Sequence, residues 1–387
     1  MANVIDLFSG VGGLSNGFKK AGFDILLANE IDEQIAYSYT KNNPETLMIN
    51  MDIKKFVLDF DNIIASKLEN INDIKRKKQI KNGLKNVDVI IGGPPCQGFS
   101  MAGARIRKKN GFIDDPRNFL FKYYFKVLQK FEPKYFVFEN VQGLITMDNG
   151  DILKQIITIF SDDSNFKNGA YKIDTLLIDS SKLGIPQKRK RLIILGRKKD
   201  NIHLKERLKD YIDLNKIKTV TVRDAISDLA YLNSGEGSYE QNYKFDPNTD
   251  YQRELRKNAR KLYNHVAFNH SEKVMRRIKE VKSGENFKSL SDSKKIRSVH
   301  SGSYGRLEWD KPSYTITTRF DTPSAGRVIH PQLNRTITPR EAARLQSFDD
   351  TFKFYGSKTS ICKQIGNAVP PKLAFAIATI IKNDLRN

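Results

Sequence analysis

The stretch NVIDLFSGVGGLSNGFKKAGFDILLANE, residues 3–30, contains the pattern that decides the fold. It consists of an apolar strand pattern, a glycine-rich turn, a helical pattern and a second strand pattern, at Asn3–Phe8, 9–13, Leu14–Lys20 and Asp24–Glu30 respectively. A strand, a helix and a second strand in this order form a βαβ unit, whose two strands are parallel. The stretch therefore predicts an α/β protein with a parallel sheet.

Four more apolar runs extend this pattern along the chain. They are VDVIIGG at 87–93, KYFVFEN at 134–140, KIDTLLID at 172–179 and RLIILG at 191–196. Amphipathic helical spacing lies between some of them, as at 118–131. This alternation predicts a mostly parallel, doubly wound, Rossmann-like sheet with helices on both faces.

The composition changes after the last of these runs. From about residue 197 to about residue 334 the chain is rich in Lys, Arg, Asn, Ser and Tyr. This region has a strand-like piece, SYTITTRF at 313–320, and little helical spacing except near 273–282. Apolar helical spacing returns in TPREAARLQSF at 338–348 and at 372–384. Because 387 residues exceed the usual length of one domain, we expect a second domain here.

The charge balance predicts a polyanionic partner. The net charge is +22, from 66 Lys and Arg against 44 Asp and Glu, which favours nucleic acid over an anionic membrane surface. No apolar run reaches about 18 residues and no signal-peptide pattern is present, so we expect a cytoplasmic protein that binds no membrane. The two cysteines, Cys96 and Cys362, are too few and too far apart for a disulfide framework or a zinc site, and no metal is expected.

The glycine turn is the first candidate ligand site. It follows a strand and opens a helix, where glycines let the backbone approach a ligand and the helix N-terminus offers free N–H groups. Glu30 ends the next strand, the position of carboxylates that accept hydrogen bonds from ribose hydroxyls. Asp52 follows another short apolar run and can accept from an adenine amino group. A nucleoside ligand is predicted, and a tight turn without a ligand is the alternative.

GGPPCQGFS, residues 92–100, is the second candidate site. A free cysteine is usually a buried small hydrophobic residue. Cys96, however, stands behind two prolines at the end of a predicted strand, where open α/β sheets bind ligands. Glu139 ends another strand and is expected to project into the same crevice. Because a neighbouring carboxylate disfavours a thiolate, we expect Glu139 to act on the substrate rather than on Cys96.

IPQKRKRLIILG, residues 185–196, supplies fixed cationic groups. Gln187, Arg189 and Arg191 alternate with Lys188 and Lys190 before an apolar strand, so the two sets are expected to point to opposite faces. Ordinary surface charge is the alternative interpretation. Together with the preceding sites, this stretch predicts a nucleophile, an acid and cationic donors around a nucleoside site.

The sequence resembles bacterial cytosine-C5 DNA methyltransferases of the restriction-modification type. The blocks that carry the resemblance span almost the whole chain: DLFSGVGGLSNGF, NE, MDI, GGPPCQGFS, DDPRNFLF, FVFENV, IPQKRKRLIILG, TPREAARLQSF and KQIGNAVPPKLA. The resemblance implies a Rossmann-like methyltransferase sheet and a smaller, mostly irregular or β target-recognition domain. It implies a catalytic domain at 1–197 plus 362–387, a recognition domain at 198–335 and a hinge segment at 336–361.

By this resemblance the cofactor is S-adenosyl-L-methionine. Phe8 would stack on the adenine, Glu30 would bind the ribose and Asp52 the adenine amino group. The methionine end and the rest of the pocket would be held by Gly10, Gly12, Gly13, Ile53, Pro95, Leu120, Asn367 and Val369. The residue after Glu30 is often aromatic in the family but is Ile31 here, so one contact to the adenine is expected to be weaker.

The resemblance also implies a covalent mechanism on a cytosine flipped out of the duplex. The Cys96 thiolate would add to carbon 6, which makes carbon 5 able to attack the donor methyl group. Glu139 would bind or protonate N3 and Arg191 would bind the O2 side. Arg189 would brace Glu139 and the substrate backbone.

Sequence reading would fall largely to the recognition domain. The predicted DNA-contacting residues are Ser100, Gln187, Arg297, Ser303, Tyr304, Arg306 and Arg319. The expected partner is double-stranded DNA, with a cognate restriction endonuclease acting on the same site as a further candidate, and the protein is expected to be a monomer.

Two other functions fit the same fold. An RNA cytosine-C5 methyltransferase shares the core, although the long basic region before TPREAARLQSF favours DNA. A catalytically inactive DNA-binding regulator is the other alternative. The presence of Cys96, Glu139, Arg189 and Arg191 argues against it.

Overall fold

The computed structural model describes residues 1–95, 119–292 and 301–386. The strands of its main sheet are β1 (Asn3–Leu7), β2 (Asp24–Glu30), β3 (Leu47–Asn50), β4 (Val89–Gly92), β5 (Tyr135–Val141), β6 (Lys172–Asp179) and β7 (Lys190–Arg197). Within the described ranges they form one sheet in the order β3-β2-β1-β4-β5-β7-β6. Neighbours from β3 to β5 are parallel, whereas β7 is antiparallel to both β5 and β6. The predicted α/β class with a mostly parallel, Rossmann-like sheet is confirmed.

The described ranges contain helices on both faces of this sheet and further helices that pack away from it. They are α1 (Gly13–Lys20), α2 (Glu33–Asn42), α3 (Ile53–Leu58), α4 (Phe60–Glu69), α5 (Ile74–Gly83), α6 (Phe119–Phe131), α7 (Asp151–Ser161), α8 (Leu204–Leu214), α9 (Val222–Ile226), α10 (Asp250–Arg256), α11 (Glu272–Glu280), α12 (Pro339–Leu345), α13 (Lys358–Asn367) and α14 (Pro371–Arg386). Val89 and Ile91 pack with α1, α8 and α14, and Ile90 and Phe136 pack with α6 and α7. Successive side chains of a strand point to opposite faces, so these buried strands are apolar throughout. Among the described residues, no helix is long and apolar enough to span a membrane.

The region after β7 contains more helix than the sequence predicts. Besides α11, which was expected, the interval 198–335 holds α8, α9 and α10. Its strands are short: β8 (Gly237–Gln241) pairs with β9 (Leu262–Val266), and β10 (Gly305–Arg306) with β11 (Arg327–Ile329). The strand expected at 313–320 is wrong, because this segment has a single isolated bridge, between Ser313 and Gln187.

Two segments pack against different parts of the protein from those that the predicted domain bounds suggest. Leu204 and Leu208 of α8 pack in the same core as Ile377 of α14, so the core of the sheet extends beyond residue 197. The predicted hinge at 336–361 contains α12, whose residues are all buried. This segment packs in a third core that also includes Val11 of the glycine turn.

Charged side chains fill the space around α12. Arg344 donates hydrogen bonds to Asp228 and to Asp350, and all three side chains are fully buried. Arg335 forms a similar two-pronged pair with Glu341, with distances of 2.7 and 2.8 Å. Buried ions are tolerated only when they are paired and hydrogen-bonded, so these pairs tie α12 to the segments that carry Asp228, Arg335 and Asp350.

We predict that Asp350→Ala lowers the free energy of unfolding by about 3–5 kcal/mol, because it leaves the Arg344 guanidinium buried with one carboxylate fewer. The matched control is Asp310→Ala, which breaks the exposed pair between Arg223 and Asp310 and should change stability by less than about 1 kcal/mol. Urea unfolding of both variants measures the difference. Equal losses in the two variants would show that the Arg344 cluster does not hold α12.

Candidate functional site

The glycine turn after β1 brings the backbone close to the last segment of the chain. A Cβ on Gly13 would lie 2.2 Å from the backbone oxygen of Val369, so only glycine allows this contact. Phe8, just before the turn, has a φ of +54°, a left-handed conformation that is rare for a non-glycine residue. Such strain is concentrated at functional sites, and here Phe8 lines the cavity described below.

Two predicted carboxylates lie at the ends of elements, Glu30 at the end of β2 and Asp52 at the start of α3. Glu30 ends β2, and its Oε2 accepts from the Gly10 N–H at 2.9 Å while its Oε1 accepts from the Asp32 N–H at 2.8 Å. Burial raises the pKa of Glu30 above its ordinary value. Asp52 caps α3, with Oδ1 accepting from the Lys54 N–H at 2.8 Å. Both carboxylates retain acceptor capacity for a ligand.

These residues surround a cavity of about 530 Å³. Every predicted cofactor residue except Gly12 lines this cavity. These ten residues are Phe8, Gly10, Gly13, Glu30, Asp52, Ile53, Pro95, Leu120, Asn367 and Val369. Gly12 lies behind the turn, where a Cβ would meet the Tyr39 ring at 2.8 Å. A cavity of this size, with apolar walls and a few convergent polar groups, is typical of a small-molecule site.

The cavity also contains residues that the sequence did not single out. They include Asn29, Ile35, Asn140, Lys363 and Gln364. Lys363 and Gln364 begin the KQIGNAVPP block that contains the chosen Asn367 and Val369, so their position in that block was the available signal. Ile35 carried no signal, because an apolar residue on a helix most often indicates core packing.

Glu139 and Arg191 form one edge of the cavity, called here the candidate catalytic edge. Arg191 Nε lies 2.7 Å from Glu139 Oε1, and both side chains are less than 15% exposed. Arg191 stands opposite Val141 in the β5–β7 ladder, which places it beside Glu139. Burial raises the pKa of Glu139, and the charges of Arg191 and Arg189 oppose that rise only in part. A carboxyl group with a raised pKa is suited to donate a proton to a ring nitrogen.

The glycine and proline residues directly before Cys96, 93–95, lie against this edge. A Cβ on Gly93 would lie 2.6 Å from Glu139 Oε2, so the glycine lets the carboxylate approach the backbone. Asn140 Nδ2 donates to the Pro94 oxygen at 3.1 Å, and Pro95 lines the cavity. Cys96 and Ser100 follow in the chain and lie outside the described residues.

The predicted alternation is observed here. Lys188 and Lys190 are exposed, whereas Gln187 and Arg189 are buried and Arg191 is half-buried. Gln187 is fully buried; its Oε1 accepts from the Ile316 N–H at 2.8 Å and its Nε2 donates to Gln346 Oε1 at 2.8 Å. This burial corrects the prediction that Gln187 contacts DNA, because its polar atoms are engaged within the protein.

Arg189 is buried as well, with 1% of its surface exposed. Its Nη1 donates to the Ile316 oxygen at 3.2 Å and its Nη2 to the Gly366 oxygen at 2.9 Å. Burial lowers the pKa of Arg189 to about 9. The predicted contact of Arg189 with the substrate backbone is therefore corrected, although its charge is close enough to lower the pKa of Glu139.

A second groove of about 610 Å³ adjoins the candidate catalytic edge and shares Val141 and Arg191 with the first cavity. Lys188, Lys190 and Thr315 line it, together with Gln142, Gly143 and Asp179. Its two exposed lysines make it a cationic surface next to Glu139. The sequence predicted only that these lysines face away from Arg189.

The predicted base-reading residues differ in their accessibility. Arg306 is buried and donates to the backbone oxygens of Val281, Ile278, His330 and Leu333, which corrects its prediction as a base reader. Ser303 and Tyr304 are buried too, and the Tyr304 hydroxyl accepts from Arg277 at 3.3 Å. Arg319 is 61% exposed and Arg297 lies outside the described residues.

A buried, hydrogen-bonded carboxyl group flanks the glycine turn. Asp6 of β1 accepts a hydrogen bond of 2.5 Å from Ser15 Oγ, which also lies 2.7 Å from the Tyr39 hydroxyl. Burial raises the pKa of Asp6 to about 7. The sequence missed this group because an aspartate inside a strand pattern carries no signal of its partners.

Comparison with known proteins identifies similar chains. The family model of the C-5 cytosine-specific DNA methylases matches residues 2–383. The Type II methyltransferase M.DdeI of Desulfomicrobium norvegicum is 35% identical over 396 residues, covering 97% of this chain and 87% of that protein. The Type II methyltransferase M1.HphI of Haemophilus parahaemolyticus is 36% identical over 377 residues, covering 97% and 86%. A crystal structure of a candidate DNA modification methyltransferase encoded within a prophage (E. coli) aligns over the full length of both chains, with 29% identity and a TM-score of 0.72.

We predict that Asp6 makes stability fall as the pH rises. Its pKa of about 7 in the folded protein exceeds the value of about 3.9 in an unfolded chain, so between these pH values only the folded protein holds the proton. The stability that this proton provides is complete below about pH 4 and is lost as the pH passes 7.

Thermal unfolding of wild type and Asp6→Asn, which stays neutral, should show that the variant gains stability relative to wild type between pH 5 and pH 8. The control Asp61→Asn changes a side chain that is 82% exposed and should keep a constant difference. A constant difference for Asp6→Asn as well would contradict the assignment.

Proposed function

The chain belongs to the C-5 cytosine-specific DNA methylase family and is a DNA (cytosine-5)-methyltransferase; we propose that its methyl donor is S-adenosylmethionine. The observation that carries the detailed proposal is the buried Glu139–Arg191 pair, 2.7 Å apart, at the edge of the cavity that the glycine turn and Glu30 enclose. A methyl donor in the cavity and a cytosine beside the Glu139–Arg191 pair would meet at this edge.

The residues of the cavity fit the proposed donor. The Glu30 carboxylate is suited to accept from ribose hydroxyls, and Asp52 from the adenine amino group. The Ser9 hydroxyl lies in the cavity wall and its oxygen has no hydrogen-bond partner among the described residues, so it can serve a polar ligand. Phe8 offers a ring face to the adenine, and Ile31, 67% exposed, covers it less than an aromatic residue would. When bound, the donor supplies an electrophilic methyl group on a sulfonium sulfur.

We propose that Cys96 is the nucleophile. Its thiolate adds to carbon 6 of the cytosine, and the electron pair of the C5–C6 double bond becomes available at carbon 5 for the methyl group. Glu139 donates a proton to N3 as negative charge develops, which its raised pKa favours. Arg191, held against Glu139, binds the O2 side. A base then removes the proton from carbon 5, N3 returns its proton to Glu139, and the bond between Cys96 and carbon 6 breaks, which releases the thiolate.

The DNA duplex is proposed to lie over the cationic groove of Lys188, Lys190 and Thr315. Cationic side chains bind the phosphate backbone without reading sequence, and the adjoining candidate catalytic edge would receive the flipped cytosine. Sequence reading is assigned to 198–335, with the exposed Arg319 as its best-placed candidate in the described ranges. Because α8 packs in the core of the sheet, we place the start of this reading region after residue 214.

The proposed setting is a bacterial restriction-modification system. The relatives of this chain named above are Type II methyltransferases. From this likeness we propose a cytoplasmic location and a cognate endonuclease that cuts the same sequence. The protein is proposed to act as a monomer on double-stranded DNA. The RNA methyltransferase is not retained, because the matching family is one of DNA methylases. The presence of Cys96 and of the Glu139–Arg191 pair argues against the inactive regulator.

The proposed function predicts a sequence-specific mark that requires Cys96. Wild type, Cys96→Ser and the matched control Cys362→Ala are expressed in a bacterium without cytosine methylation, and plasmid DNA is sequenced after bisulfite treatment. Wild type and Cys362→Ala should protect one cytosine in one short sequence, whereas Cys96→Ser should protect none, because serine is a far weaker nucleophile toward carbon 6. Methylation by Cys96→Ser above a few per cent of wild type would refute the nucleophile assignment.

A further inference from the structure

The segment 313–318, called here the bridging segment, connects the sequence-reading region to the sheet. The Ser313 N–H donates to the Pro186 oxygen at 2.9 Å, and the Lys188 N–H donates to the Ser313 oxygen at 2.8 Å. Thr315 Oγ1 donates to the Lys188 oxygen at 2.9 Å. The bridging segment is therefore fixed to the residues that lead into β7.

Two buried side chains hold the Ile316 peptide from both sides. Gln187 Oε1 accepts from the Ile316 N–H, and Arg189 Nη1 donates to the Ile316 oxygen. Both side chains are at least 99% buried, so these hydrogen bonds are shielded from water. A shift of Ile316 would leave a buried amide or a buried guanidinium without its partner, which is costly.

The same two side chains also hold the C-terminal end of α13. Arg189 Nη2 donates to the Gly366 oxygen at 2.9 Å, and Gln187 reaches the Ile365 oxygen through Gln346, with distances of 2.8 and 2.7 Å. A Cβ on Gly366 would lie 2.6 Å from backbone atoms of Thr317 and Thr318. The backbone of the bridging segment thus lies directly against the end of α13.

The end of α13 leads into the donor cavity. Asn367, Ala368 and Val369 line that cavity, and Val369 meets the glycine turn at Gly13. On the other side, the bridging segment includes Tyr314, which is 49% exposed, and is followed by the exposed Arg319. A continuous series of close contacts therefore joins groups accessible to DNA with the wall of the cavity.

We propose that Gln187 and Arg189 are positioning residues that couple the donor cavity to DNA binding; this inference rests on the proposed function. A ligand in the cavity fixes residues 367–369, and Arg189 transmits that position to Ile316 and so to the DNA-facing surface. The coupling is reciprocal, so bound DNA also tightens the cavity. Arg189 acts through Gly366 and Ile316 and touches neither substrate.

Arginine suits this position because its planar fork can donate to two carbonyls on separate segments. Lysine keeps the charge but has one compact ammonium group on a flexible stem. Arg189→Lys therefore keeps a cation near Glu139 while removing the simultaneous contact with both segments. Gln187→Leu removes the second link and retains similar volume.

The test measures a coupling factor, the ratio of the DNA dissociation constants without and with saturating S-adenosylhomocysteine. The DNA is a duplex carrying the sequence mapped by bisulfite sequencing, labelled for fluorescence anisotropy. Wild type should give a factor of at least about 5, and Arg189→Lys and Gln187→Leu should each bring it close to 1. Their affinities for S-adenosylhomocysteine alone, measured by calorimetry, should stay within about threefold of wild type.

Arg340→Lys is the matched control. Arg340 is another fully buried arginine that donates to backbone oxygens, those of Tyr263, Asp349 and Phe352, and it contacts neither the bridging segment nor the cavity in the described structure. It should lose thermal stability and keep the wild-type coupling factor. An unchanged factor in a folded Arg189→Lys or Gln187→Leu, or an equal loss in Arg340→Lys, overturns the proposal.

The wild-type protein separates this inference from the proposed function. Failure of wild type to bind S-adenosylhomocysteine would refute the proposed donor. Binding of both ligands with a coupling factor of 1 would leave the proposed function standing and overturn the coupling. Should Arg189→Lys not fold, Gln187→Leu alone decides between the outcomes.

Discussion

The reversed direction of β7 is the constraint on which the site depends. The strands β1, β2, β4 and β5 are parallel and end at one edge of the sheet, where their loops form the cavity. Because β7 is antiparallel to β5, it begins at that same edge, with Arg191 opposite Val141. A cation is thereby placed beside Glu139, and the chain that leads into β7 brings Gln187 and Arg189 against the bridging segment.

Burial gives these groups their chemical character. The Glu139 carboxyl is removed from water, which raises its pKa, and Arg191 offsets the cost of an ionised form only partly. The raised pKa favours the protonated carboxyl, which is the form that can donate to a ring nitrogen. The neighbouring cationic groove remains exposed, as a surface for a phosphate backbone requires. One edge of the sheet therefore combines a buried pair of oppositely charged side chains with an exposed cationic surface.

The features that could be predicted from sequence are those encoded locally. Strand patterns, the glycine turn and the ends of β2 and β5 follow from hydrophobic periodicity, and they place Glu30 and Glu139 at the cavity. The partners of buried polar residues are not local: Gln187 meets Gln346, which lies 159 residues further along the chain. Arg306 likewise resembles a DNA-binding arginine until its carbonyl partners on other segments are known. The bridging segment has the alternation of a strand, yet its backbone groups bond to the residues before β7 and to side chains.

We propose that this edge of the sheet delivers a cytosine to Cys96, and covalent trapping tests this proposal most directly. A duplex carrying 5-fluorocytosine at the mapped position is incubated with the protein and S-adenosylmethionine. Fluorine cannot leave carbon 5 as a cation, so elimination is blocked and the adduct should persist through denaturation. Mass spectrometry should place it on Cys96, since Cys362 is buried and its pKa is raised to about 12. An adduct on Cys362, or none at all, would contradict the account.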